Sequence, residues 1–221
     1  MAGVKPLTTE QTAPPAFTQA DMQKFQNRRR LTLAVLAVLL APAIALTAPL
    51  FEPTSGVGLL IHAASLACLA MAVLVRTWSA IYVGGRKQRE LVTGGPYALT
   101  RNPLYVGTLF GALGAGLSFG SITLGAALCV ATFLVFDWVV RLEEKRLRDE
   151  FGLPFDAYMA RTPRWLPKSW RVEDASRLEV NTRVVVRTCA QALLFFAAPM
   201  IAALLAAARD AGWVATLLRL P

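Results

Sequence analysis

Two short stretches of this chain carry residues whose types and spacing could do chemistry. The first, residues 94–107, reads GGPYALTRNPLYVG. Asn102 suits a helix N-cap, its side-chain oxygen accepting from the first free backbone N–H groups. Pro103 then takes the first helical position, where a missing N–H costs nothing. Arg101 stands just outside. A helix start beside a guanidinium is suited to a carboxylate or a phosphate. The second stretch is the pair Glu143-Glu144. Adjacent residues on a helix point about 100° apart, so the two carboxylates have different surroundings: one faces inward, the other meets solvent or a basic partner. A ligand bearing a carboxylate and an ammonium or sulfonium fits this combination, its anion at the helix start and its cation at a glutamate. Asp137, Arg141 and Glu144 share one helix face. Asp137 can be neutralised by Arg141, yet a carboxylate so close to an apolar run marks a site with a named partner.

Other chemistries find no footing. The single histidine, His62, excludes a His-rich metal site, and no metal ligands are expected. Cys68, Cys129 and Cys189 lie inside apolar runs, without a disulfide framework or a CxxC pair. GALGAG at residues 111–116 has the wrong spacing for a dinucleotide fingerprint and lies in an apolar segment rather than after a strand. No phosphate-binding loop of the Walker type and no G-x-S-x-G elbow occurs.

The elements that must position these residues are apolar. The 221-residue chain is 55% hydrophobic and 17% charged, against about 25% charged in soluble domains. Five apolar runs predict an all-α polytopic membrane protein with about five transmembrane helices: residues 31–50, kinked at Pro42 and ended near Pro49; 57–75, closed by Arg76; 104–119, which is short; 122–140; and 184–208. Residues 1–27 read as a mobile tail, with 17–30 as a short interfacial helix, and Arg28-Arg29-Arg30 opens the first run. Residues 141–183 are polar. Leu142, Leu147 and Phe151 make 141–151 an amphipathic extension of the fourth helix along the membrane surface, stopped by Gly152 and Pro154, with a short turn at 155–160. The end, 209–221, carries Trp213 and suits the interface. Gly107, Gly111 and Gly114 share a helix face that admits another helix, a flat ligand or a second copy of the chain.

The net charge of +9 does not call for nucleic acid. With Met1 cytoplasmic and five spans, all but Arg209 and Arg219 of the 23 Lys and Arg residues fall on the cytoplasmic side or at its boundary, as the positive-inside rule requires. Both chemical stretches then meet on that side.

Three segments in order, GPYALTRNPLYVG (95–107), LEEKRLRDEFG (142–152) and FDAYMARTPRWLP (155–167), resemble the membrane methyltransferases that include isoprenylcysteine carboxyl methyltransferase and the phospholipid N-methyltransferases. The resemblance divides the chain into a tail (1–27), a methyltransferase core (28–183) and an additional span with an interfacial C-terminus (184–221). It implies S-adenosyl-L-methionine bound on the cytosolic side, between the glycine-rich helix and the polar C-terminal segment. Gly95, Tyr97, Arg101, Asn102, Pro103, Tyr105, Gly107, Glu143 and Glu144 are the implied cofactor-binding residues, with Glu144 at the cofactor's charged end. Tyr158, Arg164 and Glu144 are the implied catalytic residues, Tyr158 and Arg164 in a tail motif that closes the pocket and faces the acceptor. Asn102 stands where the family often has histidine, and an asparagine is neither a cation nor a useful base.

The implied acceptor is lipophilic and enters from the bilayer: an isoprenylcysteine-like carboxylate, a lipid headgroup, or a small hydrophobic thiol or amine. An amine or thiol must lose a proton, and the candidate bases are Asp137, Glu143 or a nearby carboxylate. Two alternatives stand beside this reading. One is an NADPH-dependent sterol-type membrane reductase using Arg86, Lys87 and Arg89 for the extra phosphate. The other is a non-catalytic assembly protein that uses its glycine face for packing.

Overall fold

The computed structural model describes residues 42, 44–84, 90–170, 172 and 178–221. The expected tail, Arg28-Arg29-Arg30, most of the first apolar run, and Arg86, Lys87 and Arg89 lie outside the described residues. Among the described residues the chain is all-α apart from one short strand pair. Its helices are α1 (Gly56–Val83), α2 (Pro96–Leu99), α3 (Pro103–Leu117), α4 (Ile122–Phe151), α5 (Leu153–Arg161), α6 (Thr182–Leu193) and α7 (Ala197–Asp210), with a 3-10 turn at Leu194–Phe196 joining the last two.

Capping sets the helix starts. The hydroxyls of Ser55, Ser121 and Asn181's side-chain oxygen accept from Gly58, Leu124 and Val184 N–H at 3.1, 3.1 and 3.2 Å. The helix ends differ from the hydropathy reading. α1 runs on past Arg76 to Val83, because RTWSAIYV contains no breaker and Gly84 is the first residue to supply one. α4 is a single 30-residue helix, so residues 141–151 continue its axis rather than turning onto the membrane surface. Gly152, at φ 58°, ends it. The turn expected at 155–160 is a nine-residue helix, α5. In the last apolar run Pro199 has no N–H to offer the preceding turn, and the chain tightens there into the 3-10 segment.

Three helical stretches are long and apolar enough to cross a membrane: Gly56–Val83, Ile122–Phe151 and Thr182–Asp210, with mean hydropathies of 2.3, 2.0 and 2.1 over their best windows. α3, at 15 residues, rises only about 22 Å and is shorter than the roughly 30 Å hydrocarbon core. Five crossing helices are therefore not found among the described residues. The long helices bury only 28%, 22% and 11% of those windows inside the protein. Leu60, Leu74, Leu134 and Leu204 are left for lipid. The protein is an integral membrane protein.

α1 and α3 pack closely because glycines let them. A Cβ on Gly114 would lie within 3.0 Å of Leu69, and one on Gly107 would meet Arg76. Gly111 lies under the Phe195 ring. Ser65 Oγ donates to Gly114 O at 2.8 Å and lies 2.8 Å from Ser118 Oγ, which satisfies buried polar groups between the helices. The glycine face is thus filled from within the chain.

Beyond the Ser55 end of the bundle, Thr47–Pro49 (β1) pairs in parallel with Leu218–Leu220 (β2), Thr47 opposite Leu218. The end of the first apolar run is therefore extended rather than helical, and Arg209 donates to Ile44, Ala45 and Thr47 carbonyls at 3.2, 3.1 and 2.6 Å.

Candidate active site

The other end of the bundle gathers the chemical residues. Gly95 has φ 59°, and a side chain there would run into the Tyr82 ring, so the sequence needs glycine on two counts. The turn that follows, α2, hangs from α5: Tyr158 Oη donates to Tyr97 O at 2.7 Å. Residues 100–102 are laced to the tail motif. Arg101 N donates to Pro163 O at 2.9 Å, while Thr100 Oγ1 and Asn102 Nδ2 donate to Arg164 O at 2.8 and 3.3 Å. Asn102 does occupy the N-cap position, but its side chain makes no capping bond. The expected cap is replaced by the amide bond to Arg164 O, and the Asn102 carbonyl accepts from Tyr105 N and Val106 N at 3.0 and 3.1 Å. Pro103 is fully buried at the first helical position.

Glu143 and Glu144 diverge as their helical spacing requires. Glu143 accepts from Tyr105 Oη at 3.1 Å and lines a cavity. Glu144 points the other way. Arg164 binds it with two bonds, Nε to Oε1 at 3.0 Å and Nη2 to Oε2 at 2.6 Å, and Arg101 Nη2 stands 3.4 Å from Oε1. Asp137 accepts from Arg141 Nε at 2.7 Å and Trp165 Nε1 at 3.2 Å, with Arg164 Nη1 3.6 Å away. The same guanidinium of Arg164 therefore ties the tail motif to two points on α4.

These surroundings set protonation. The hydrogen bond to Glu144 raises the Arg164 guanidinium above its ordinary range. Burial lowers that of Arg101, opposed by Glu144. Burial drives the Tyr97 phenol well above its usual value, and the Glu143 carboxylate adds to this. Burial raises Tyr158 as well, opposed by Arg101. Both phenols stay neutral, and Tyr158 acts as a donor rather than a base.

The cavity measures about 260 Å³. Its apolar wall comes from Val83, Leu104, Leu147 and Phe151, closed by Val184 and Thr188 of α6. Its polar groups are Glu90, Tyr97, Arg101, Asn102, Glu143 and Tyr158. An apolar chamber with a few converging polar groups is the usual form of a small-molecule site. Arg101 is shared with a second, polar groove of about 640 Å³ that contains Glu144 and Arg164. The structure thus brings Tyr97, Arg101, Asn102, Tyr105, Glu143 and Tyr158 to one cavity and puts Glu144 and Arg164 behind its wall. Gly95, Pro103 and Gly107 shape the backbone without lining the cavity. Sequence reasoning missed Glu90 and the α6 contribution. An apolar helix carries no signal for which cavity it closes, though Thr188 on its polar side was a hint.

A ligand with both a carboxylate and a cation matches this donor set. Arg101 and Glu143 bring opposite charges to the same cavity. S-adenosyl-L-methionine carries a carboxylate together with an ammonium and a sulfonium.

Comparisons with known proteins agree with this architecture. The family model described as phospholipid methyltransferase matches residues 51–153, from the turn before α1 to the start of α5. The nickel-cobalt-cadmium resistance protein NccN of Alcaligenes xylosoxydans xylosoxydans is 37% identical over 153 residues, 69% of this chain and 71% of that protein. The cobalt-zinc-cadmium resistance protein CzcN of Cupriavidus metallidurans is 34% identical over 144 residues, 65% of this chain and 66% of that protein. Protein-S-isoprenylcysteine O-methyltransferase of Schizosaccharomyces pombe is 30% identical over 115 residues, 52% of this chain and 49% of that protein. No solved structure matches. The matched region contains α1, the arginine-asparagine-proline turn and Glu143, which line the cavity, and the chain belongs to the phospholipid methyltransferase family of integral-membrane proteins, to which isoprenylcysteine carboxyl methyltransferase is related.

Proposed function

We propose that this protein is an S-adenosyl-L-methionine-dependent methyltransferase that acts at the cytoplasmic membrane face on a lipophilic acceptor. The observation that carries the proposal is the largely apolar cavity in which Glu143, held by Tyr105, and Arg101 supply the two charges. Arg101 would hold the cofactor's carboxylate, and Glu143 its cationic end. When bound, the cofactor supplies an electrophilic methyl group for in-line displacement. Tyr105 Oη keeps the Glu143 carboxylate oriented. Leu147, Phe151 and Val184 exclude water. Glu144 is a positioning residue in this scheme: it fixes Arg101 and Arg164, and Arg164 fixes residues 100–102.

The acceptor reaches the cavity from the bilayer through the lipid-facing helices. A carboxylate acceptor needs no base. For an amine or thiol, Glu143 and Glu90 are the carboxylates that line the cavity, since Asp137 is engaged by Arg141 and Trp165 and Glu144 by Arg101 and Arg164.

Equilibrium binding of S-adenosyl-L-methionine to the detergent-solubilised protein tests the site. Arg101→Ala and Glu143→Gln should each weaken binding about tenfold or more, the equivalent of one charge-assisted contact. Unchanged affinity in both variants would sink the assignment.

The names of the two resistance proteins favour a second reading, in which the modified acceptor raises tolerance to cobalt or cadmium. A host strain expressing the wild type should tolerate more metal than one expressing Glu143→Gln. Equal tolerance in both removes that reading and leaves methyl transfer to be judged on its own assay.

A further inference from the structure

The polar groove outside the cavity has a chemistry of its own. Arg141, Lys145 and Arg148 recur at i, i+4 and i+7, so they form one stripe on α4, and all three are exposed. The side chains of Arg141 and Arg148 are 63% and 59% exposed. Across the groove lie Arg101 and Arg164. Five cations thus surround a space of about 640 Å³ that holds two carboxylates, Glu144 and Asp156. Glu144 is shared by Arg101 and Arg164, so one carboxylate answers two guanidiniums. Arg148 is bonded to Asp156 and Arg141 to Asp137, each through Nε, and a guanidinium has further donors on its Nη atoms. Among the described residues, Lys145 has no ion pair.

The stripe begins where the apolar part of α4 ends. Val140 is fully buried, Trp138 and Leu142 are exposed on the lipid side, and Arg141 follows at once. Seven residues of helix rise about 10 Å, comparable to the depth of one headgroup layer. Trp170 and Leu166, 81% and 80% exposed on the adjoining tail segment, suit the same interface.

We propose that this groove binds the phosphodiester headgroup of an anionic bilayer lipid of the phosphatidylglycerol type. Arg and Lys provide charge-assisted donors for the phosphate oxygens, and basic pockets beside membrane helices hold such headgroups by these means. A zwitterionic headgroup is disfavoured, because its ammonium would sit among cations in excess over carboxylates. The lipid is distinct from the methyl acceptor. Its headgroup lies on the outer side of the Arg101–Glu144–Arg164 wall, and its binding does not require methyl transfer.

The test uses the full chain in a neutral detergent, with binding of phosphatidylglycerol and of phosphatidylcholine of the same acyl chains followed by native mass spectrometry and by the thermal midpoint. Phosphatidylglycerol should bind and raise the midpoint, and phosphatidylcholine should do neither. Lys145→Gln should weaken phosphatidylglycerol binding about fivefold, the worth of one juxtamembrane cation, and Lys145→Gln with Arg148→Gln should weaken it further. Lys145→Arg should retain it, which separates charge from any effect on folding. Equal binding of the two lipids would overturn the proposal. So would Lys145→Gln binding as tightly as the wild type, or Lys145→Arg losing as much as Lys145→Gln. Inorganic phosphate producing the same midpoint shift at the same concentration would reassign the groove to a free anion and overturn the lipid proposal.

Discussion

Replacing Glu144 by alanine removes the carboxylate on which Arg101 and Arg164 converge. Arg164 loses both of its bonds to that carboxylate, at 3.0 and 2.6 Å, and Arg101 loses its counter-charge at 3.4 Å. The side chains are 12% exposed at Glu144, 13% at Arg101 and 29% at Arg164, so solvent screens the cluster only in part. Hydrogen bonds to charged groups contribute about 1.5–3 kcal/mol, and stripping a buried charge of its partner costs about 3–5 kcal/mol. Glu144→Ala should therefore cost about 3 kcal/mol. Arg164→Ala should cost about 2 kcal/mol, because Glu144 keeps Arg101 and Asp137 keeps Arg141 and Trp165. For a chain of this length each kcal/mol moves the thermal midpoint by about 2–4 °C. The assay is tryptophan-fluorescence unfolding in detergent of the wild type, both single variants and the double variant. The double-mutant cycle should show coupling of about 2 kcal/mol. Coupling near zero, or a larger loss for Arg164→Ala than for Glu144→Ala, would refute the reasoning that Glu144 is the hub of the cluster.

Tyr158→Phe deletes the 2.7 Å bond to Tyr97 O and should cost about 1–2 kcal/mol in the same unfolding assay, leaving a part-buried carbonyl without its donor. The raised phenols of Tyr97 and Tyr158 also set an alkaline limit. Below pH of about 10, the ordinary tyrosine value, folded and unfolded states hold the same protons and stability is full. Above it the unfolded state releases protons that the folded state keeps, so stability falls as pH rises, and Tyr158→Phe should flatten that slope. Gly114→Val places a Cβ within 3.0 Å of Leu69 and should lower stability by about 1–3 kcal/mol, with poor recovery from membranes. Retention of the wild-type midpoint would show that α1 and α3 are not held in this packing.

Much of the site was legible in the sequence because its parts are local. Pro103 and the arginine-asparagine pair lie in one turn, and their backbone roles follow from a missing N–H and from helix capping. The divergence of Glu143 and Glu144 follows from helical geometry alone. Which of the two faces the cavity does not, since that depends on the rotation of α4 against α3, and the rotation is fixed by Tyr105 and Arg164 from elsewhere in the chain. The resemblance put Glu144 at the cofactor's charged end, whereas in the structure Glu143 lines the cavity and Glu144 lies between guanidiniums. Asn102 sits at the N-cap position as read, but a tertiary partner, Arg164 O, takes its side chain. The fold was read well in class and less well at its ends. Hydropathy stops α1 at the first arginine, while the helix continues until glycine allows it to end. The strand pairing of Thr47–Pro49 with Leu218–Leu220 joins residues about 170 apart, and no local pattern announces it.

The most direct test of methyl transfer is a labelling experiment. Purified protein, S-adenosyl-L-methionine carrying a labelled methyl group, and a total membrane extract are incubated together, and the lipophilic and aqueous fractions are counted. The expected result is label in the lipophilic fraction with the wild type, reduced about tenfold or more in Glu143→Gln while that variant keeps its thermal midpoint. Label no higher than with heat-denatured protein, or equal transfer by Glu143→Gln, would contradict it.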